Sequence, residues 1–185
     1  MQFDPGGELP KKPNNEQEVP SGEYLLALVW FDRKISREKG TEYFRTKYQV
    51  CSGELRGAAF FSMLGVDGTK YGTARQWQEF AQSVGVKVAF ELGSMAEGNT
   101  AAADAEIKRL FTNIPFLATV VRKSSGQYTN SSIKRFLPPE TMENSHRREA
   151  QEWSVNRGTF PDPDDEGNDG IRGGAGWESE DEIPF

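Results

Sequence analysis

The stretch "EYFRTKYQV", residues 42–50, constrains the fold of this chain more tightly than any other. Phe44, Thr46, Tyr48 and Val50 alternate with Tyr43, Arg45, Lys47 and Gln49. Successive side chains point to opposite sides only in an extended strand, so the segment predicts a strand with one packed face and one basic, aromatic face. Such a strand is stable only with hydrogen-bonded neighbours and a layer over its packed side.

The flanking sequence supplies both. "EYLLALVWFDRKIS" before it is rich in aliphatic and aromatic residues and turns polar at Asp32, as a strand does on leaving a core. "AAFFSMLGV" follows after the turn "SGELRG", so three strands run in succession as a meander. The period then changes. In "GTARQWQEFAQSVG" Ala74, Trp77, Phe80, Ala81 and Val84 lie on one helical stripe, with Thr73 and Gln76 spaced as a capping box and Gly85 as a stop. A second helix fits "NTAAADAEIKRLFTNI", where Ala103, Ile107, Leu110, Phe111 and Ile114 share a face and Pro115 ends the run. "VKVAFELGSM" between the helices reads equally as a short strand or an extended link. "FLATVVRKSSGQYTNSSIKRFLP" is patterned as a hairpin, and a short helix fits "ETMENSHRREAQEW".

Strand, strand, strand, helical insert, strand, strand is the order of a five-stranded Greek-key barrel of the OB type, with helices between the third and fourth strands. The expected organisation is an N-terminal arm over residues 1–20, one domain over 21–153 and a tail over 154–185. The tail is rich in glycine, proline and acids and has no period that buries a core, which predicts disorder.

Charge follows this division. The chain's net charge is −6, yet residues 21–137 hold 16 basic and 11 acidic side chains while residues 154–185 hold 2 and 9. A mildly basic body thus carries an acidic tail, and an anionic partner is compatible with the overall sign. One cysteine, Cys51, and one histidine, His146, cannot build a Cys/His zinc site, and His146 lies in a charged, solvent-facing stretch. "DPDDEGNDG" places Asp162, Asp164, Glu166 and Gly167 at calcium-loop positions, but the closing glutamate is replaced by Gly173. Neither a phosphate-binding GxxxxGK[ST] loop nor HExxH occurs. The expectation is a protein without catalytic residues, metal or cofactor. With no apolar run near the length that spans a bilayer and no secretory leader pattern, a cytoplasmic location away from membranes is expected.

OB barrels bind single strands by pairing Lys and Arg with phosphates and flat side chains with bases. Alternation nominates Tyr43, Arg45 and Lys47 on the second strand, and Trp30, Arg33 and Lys34 where the first emerges. Arg122, Lys123 and Tyr128 flank the last hairpin, and Lys134, Arg135 and Phe136 close it. Phe60, Phe61 and Phe90 are assigned to the core.

The ending "ESEDEIPF" resembles the C-terminal tip of bacterial single-stranded DNA-binding proteins, an acidic cluster running into Ile-Pro-Phe after a Gly/Pro-rich linker. The body, over roughly residues 20–139, is similar in pattern to a family of phage-encoded OB-fold single-stranded DNA binders. The resemblance implies that Asp181, Glu182, Ile183, Pro184 and Phe185 dock to replication, recombination or repair enzymes, and that the body coats single-stranded DNA in a bacterial host cell, where a homo-oligomer is compatible with the role. A strand-annealing recombination protein, or an accessory subunit that binds no DNA, are the rival readings.

Overall fold

The computed structural model describes residues 19–125 and 128–156. Five strands form one antiparallel sheet in the order β3-β2-β1-β4-β5: β1 (Gly22–Ile35), β2 (Glu42–Val50), β3 (Ala59–Gly65), β4 (Phe116–Ser125) and β5 (Tyr128–Phe136). Helices α1 (Tyr71–Val84) and α2 (Thr100–Phe111) lie between β3 and β4, and α3 (Asn144–Asn156) follows β5 after a 3-10 turn at Pro139–Thr141. The mainly β class and the helical insert after the third strand are those the pattern predicts. The sheet is open in its hydrogen bonding, but it curls until its two outermost strands, β3 and β5, approach one another in a barrel-like wrap.

β1 belongs to both halves of this wrap. Its first residues pair with β4, from Gly22 opposite Val120 to Leu26 opposite Phe116. Its remainder pairs with β2, from Leu26 opposite Val50 to Ile35 opposite Glu42. The second ladder slips between Leu28, opposite Tyr48, and Trp30, opposite Lys47, so Val29 is the extra residue of a bulge. Side-chain parity reverses there. Leu26 and Leu28 point into the interior ahead of the bulge, whereas beyond it Phe31 and Arg33 do, and Trp30, Asp32 and Lys34 face outward.

The interior is built largely of rings. Phe44, Thr46, Tyr48 and Val50, the packed face read from the alternation of β2, are all buried. Phe80 of α1 sits centrally, stacked on Phe136 at 4.5 Å between centroids and 4.9–5.0 Å from Phe111 and Phe116. Trp77 packs edge-on against Phe111 and Phe44, and its indole N–H donates to the Gly65 carbonyl at 2.8 Å, tying α1 to the end of β3. α1 ends as expected: Gly85 is left-handed, its N–H reaches Gln82 and that of Val86 reaches Ala81. The expected capping box is not formed. Lys70 takes the N-cap position without a side-chain cap, and Thr73 lies within the helix, close to Gly65. The segment between the helices is an extended link, with Val86, Phe90 and Leu92 packed against the core. α2 stops at Phe111, before the expected Ile114, and Asn113 follows with a φ of 60°.

Outside the sheet, α3 lays Trp153 over Leu25, Ala27 and Cys51, with Val29, Met142 and Ala150 around it. The lead-in is tied down at its inner end. Val19 is buried in the core and its carbonyl accepts from the Ser131 hydroxyl at 2.6 Å, while Ser21 Oγ accepts the Arg122 N–H at 2.9 Å.

Arg33 is where the structure departs most from the sequence reading. Its side chain is only 6% exposed and closes a network under the barrel-like wrap rather than joining an outer basic face. It donates to Asp104 of α2, to Glu42 of β2 at 3.0 Å, and to the Leu92 and Gly93 carbonyls of the link, with its guanidinium over the Phe44 ring. Glu42 in turn accepts from the Met95 N–H at 2.8 Å and the Ser94 hydroxyl. Gly93 permits the approach: it is left-handed, and a Cβ there would lie 2.7 Å from Ala103 Cβ. Burial raises the Glu42 pKa, but the hydrogen bonds from Met95, Arg33 and Ser94 outweigh it and the net shift is downward.

A carboxyl whose folded pKa lies below its unfolded value contributes stability above the unfolded value, near 4.5, that is lost as pH falls through the folded one. Urea unfolding should therefore show stability falling below about pH 4.5. Arg33→Ala should cost about 3 kcal/mol at pH 7, because it leaves two carboxylates without their cation. It should also shrink that acid dependence; an unchanged pH profile in the variant would show that Glu42 does not depend on Arg33.

Candidate functional site

Three ladder rows cross the outer face of β1, β2 and β3 where α3 does not cover it. Trp30 stands opposite Lys47 and Lys47 opposite Phe61. Asp32, Arg45 and Met63 form the next row, and Lys34, Tyr43 and Gly65 the third. Directly opposed side chains in an antiparallel pair share a face and lie within contact range. Here the rows interlock through a ring. Phe61 is half-buried; the Trp30 indole meets it edge-on at 6.1 Å with an interplanar angle of 88°. The Arg45 guanidinium carbon lies over the same ring at 4.5 Å from its centroid, and the Lys47 ammonium at 5.6 Å. Cation–π attraction of this kind contributes about 0.5–1 kcal/mol at exposed sites and holds a flexible cation near the ring.

The face carries three cations and one anion. Asp32 pairs with Lys34 at 2.7 Å, both about half exposed, so the pair joins the second and third rows. Arg45 and Lys47, beside Phe61 and Trp30, form its most aromatic part. Asp32 is absent from the sequence-derived set, although its parity with Lys34 follows from alternation alone.

Of the nominated residues, Trp30, Lys34, Tyr43, Arg45 and Lys47 are thus brought onto one surface. Arg33 is not: the bulge turns it inward. Phe136 is not either, because it is 3% exposed and stacked on Phe80 in the core, with Ala118 as its ladder partner, so no base can reach its ring. Phe61 is the residue the sequence reading missed by assigning it to the core. The signal was present, since Phe60 and Leu64 are buried and odd-numbered residues of β3 must then face outward.

The basic residues of the last hairpin lie elsewhere. Beyond Val120, opposite Gly22, β4 and β5 continue as a ribbon of their own, pairing Arg122 with Ser131 and Lys123 with Asn130. Lys134 and Arg135 are exposed at a slip in that ladder, between Ile133 opposite Val120 and Arg135 opposite Thr119. These four share no ladder row with Arg45 and Lys47. The side chain of Tyr128 and the tip residues Asp181, Glu182, Ile183, Pro184 and Phe185 lie outside the described residues.

Among the described residues, no group of three or more His, Cys, Asp and Glu side chains is disposed to hold a metal ion, and no helix is long and apolar enough to cross a membrane. Cys51 is buried under Trp153, and burial pushes its thiol pKa far up. The sequence matches no protein-family model and no curated protein.

The two phenylalanines provide a direct check on which face is which. Phe136→Ala should cost about 3–5 kcal/mol in urea unfolding, the usual result of emptying an aromatic core site. Phe61→Ala, on the outer face, should cost about 1 kcal/mol, the combined value of its exposed cation–π and edge contacts. Equal costs would mean that Phe61 is a core residue.

Proposed function

We propose that this chain is a sequence-tolerant single-stranded DNA-binding protein built on an OB-type barrel, acting by coverage and recruitment rather than catalysis. The observation that carries the reading is the clustering of Trp30, Arg45, Lys47 and Phe61 on the outer face of the β1-β2-β3 meander. Flat side chains beside cations are what a single strand requires, since every base offers a π-face and every nucleotide a phosphate. Contacts made through π-faces and phosphates read no base edge, which favours tolerance over sequence specificity.

The topology supports the same reading. The strand order, the approach of β3 to β5, the long β1 shared between two ladders and the helices between β3 and β4 are the features of an OB barrel, whose β2–β3 face and β1–β2 and β4–β5 loops take oligonucleotides. On this reading the β4–β5 ribbon, with Arg122 and Lys123, is a second contact zone that extends the backbone path beyond the Phe61 row.

The tail completes the proposal. α3 ends at Asn156, ahead of the tail, and the tail's acids and terminal Ile183-Pro184-Phe185 resemble a docking peptide. A partner pocket would take the Phe185 ring and a basic side chain its carboxylate, with Pro184 limiting the entropy lost on docking. A phage-encoded protein serving replication, recombination and repair in the bacterial cytoplasm is the setting the resemblance suggests.

Fluorescence titrations of the full chain with oligo-dT and duplex DNA across a salt series test this. Binding should favour the single strand, with a log-log salt slope of about −0.7 per phosphate contacted. Lys47→Ala should reduce that slope by about 0.7. In a Trp177→Phe background, which removes the tail's tryptophan, Trp30→Phe should remove most of the quench, because Trp77 and Trp153 are buried. No binding at low salt would refute the proposal. Deleting Glu178–Phe185 should leave single-strand affinity equal or higher while abolishing capture of replication enzymes; weaker DNA binding would contradict the role given to the tip.

A further inference from the structure

The geometry points to the Arg45 guanidinium, laid on Phe61, as the surface on which this face stacks a base, with Phe61 as the residue that positions it. The inference rests on the proposed single-strand binding and specifies how the face performs it.

The argument starts from what already occupies Phe61. Arg45 Cζ lies over the ring 4.5 Å from its centroid, Lys47 Nζ lies 5.6 Å away, and Trp30 stands edge-on. A base stacking on the covered side of Phe61 would have to displace the guanidinium and forfeit the cation–π contact. A base stacking on the guanidinium keeps that contact and adds a second π-surface to the cation. Arginine suits this role where lysine does not: its charge is planar, delocalised and weakly hydrated, and it stacks on flat partners. Lys47, a compact ammonium beside the same ring, is left as a point charge for the backbone.

The β-ladder explains why Arg45 can be held this way. Arg45 is opposite Met63 and one row from Phe61, so its side chain reaches the ring diagonally along the face.

The test compares oligo-dT with an abasic strand of equal length, which carries the same phosphates and no bases, using the full chain and its Arg45→Lys and Phe61→Leu variants. Circular dichroism melts establish that each variant is folded, as substitutions on this outer face should allow. Wild-type protein should prefer oligo-dT. Arg45→Lys should weaken oligo-dT binding by roughly tenfold while leaving the salt slope and abasic-strand affinity unchanged, because it removes the flat surface and keeps the charge. Phe61→Leu should also lose preference for the base-bearing strand, since the guanidinium is no longer held.

Arg45→Lys with wild-type preference would overturn the inference and reduce Arg45 to a phosphate contact. Loss of preference in Phe61→Leu alone would assign the stacking to the bare ring. If wild-type protein binds neither strand at low salt, single-strand binding itself fails, which is distinguishable from both of those results.

Discussion

One extra residue in β1 sets the character of this protein. Side chains on a strand alternate strictly, so an inserted residue exchanges the inner and outer sets for everything beyond it. Val29 is that residue. Ahead of it β1 contributes Leu26 and Leu28 to the interior; past it, Phe31 and Arg33 take the inner positions and Trp30 is turned out beside Lys47 and Phe61. Without the bulge, Trp30 would compete for an interior already filled by rings, and the Arg33 guanidinium would leave Asp104 and Glu42 without their partner.

The two consequences of the bulge work on opposite sides of the sheet. Inside, Arg33 joins β1 to β2, to α2 and to the link between the helices, so the helical insert is fastened by directional bonds as well as by the aromatic packing around Phe80. Burial of such a cation is tolerated because its donors meet carboxylates and backbone carbonyls instead of apolar surface. Outside, the same strand presents a half-buried indole against a phenylalanine ring flanked by two cations. A rigid sheet holds this group, and a preorganised site loses less conformational entropy when a flexible ligand settles on it.

α3 divides the outer face into a covered and an open part. Trp153 seals Leu25, Ala27 and Cys51, which the first half of β1 and the end of β2 would otherwise expose. Among the described residues, α3 leaves uncovered Trp30, Asp32 and Lys34 with their partners on β2 and β3.

The sequence by itself determined the class of elements and most of their boundaries. Alternation in residues 42–50 fixed which side of β2 packs, and helical spacing in residues 71–84 with Gly85 beyond it fixed α1, because these signals depend only on local backbone period and on glycine's left-handed freedom. It also placed Tyr43, Arg45 and Lys47 on one face, since that strand is regular throughout. Tertiary structure decided the rest. Whether Arg33 points in or out depends on a slip in the β1–β2 ladder, and a slip is a property of the pair of strands, with no mark in either alone. Phe136 and Phe61 look alike as aromatic residues in strands; one is buried because Phe80 arrives from a distant helix, and the other is only half-buried because none of the described helices packs over β3 there. Local sequence sets the period of side chains along each element, and only the docking of elements far apart in the chain settles which face is covered.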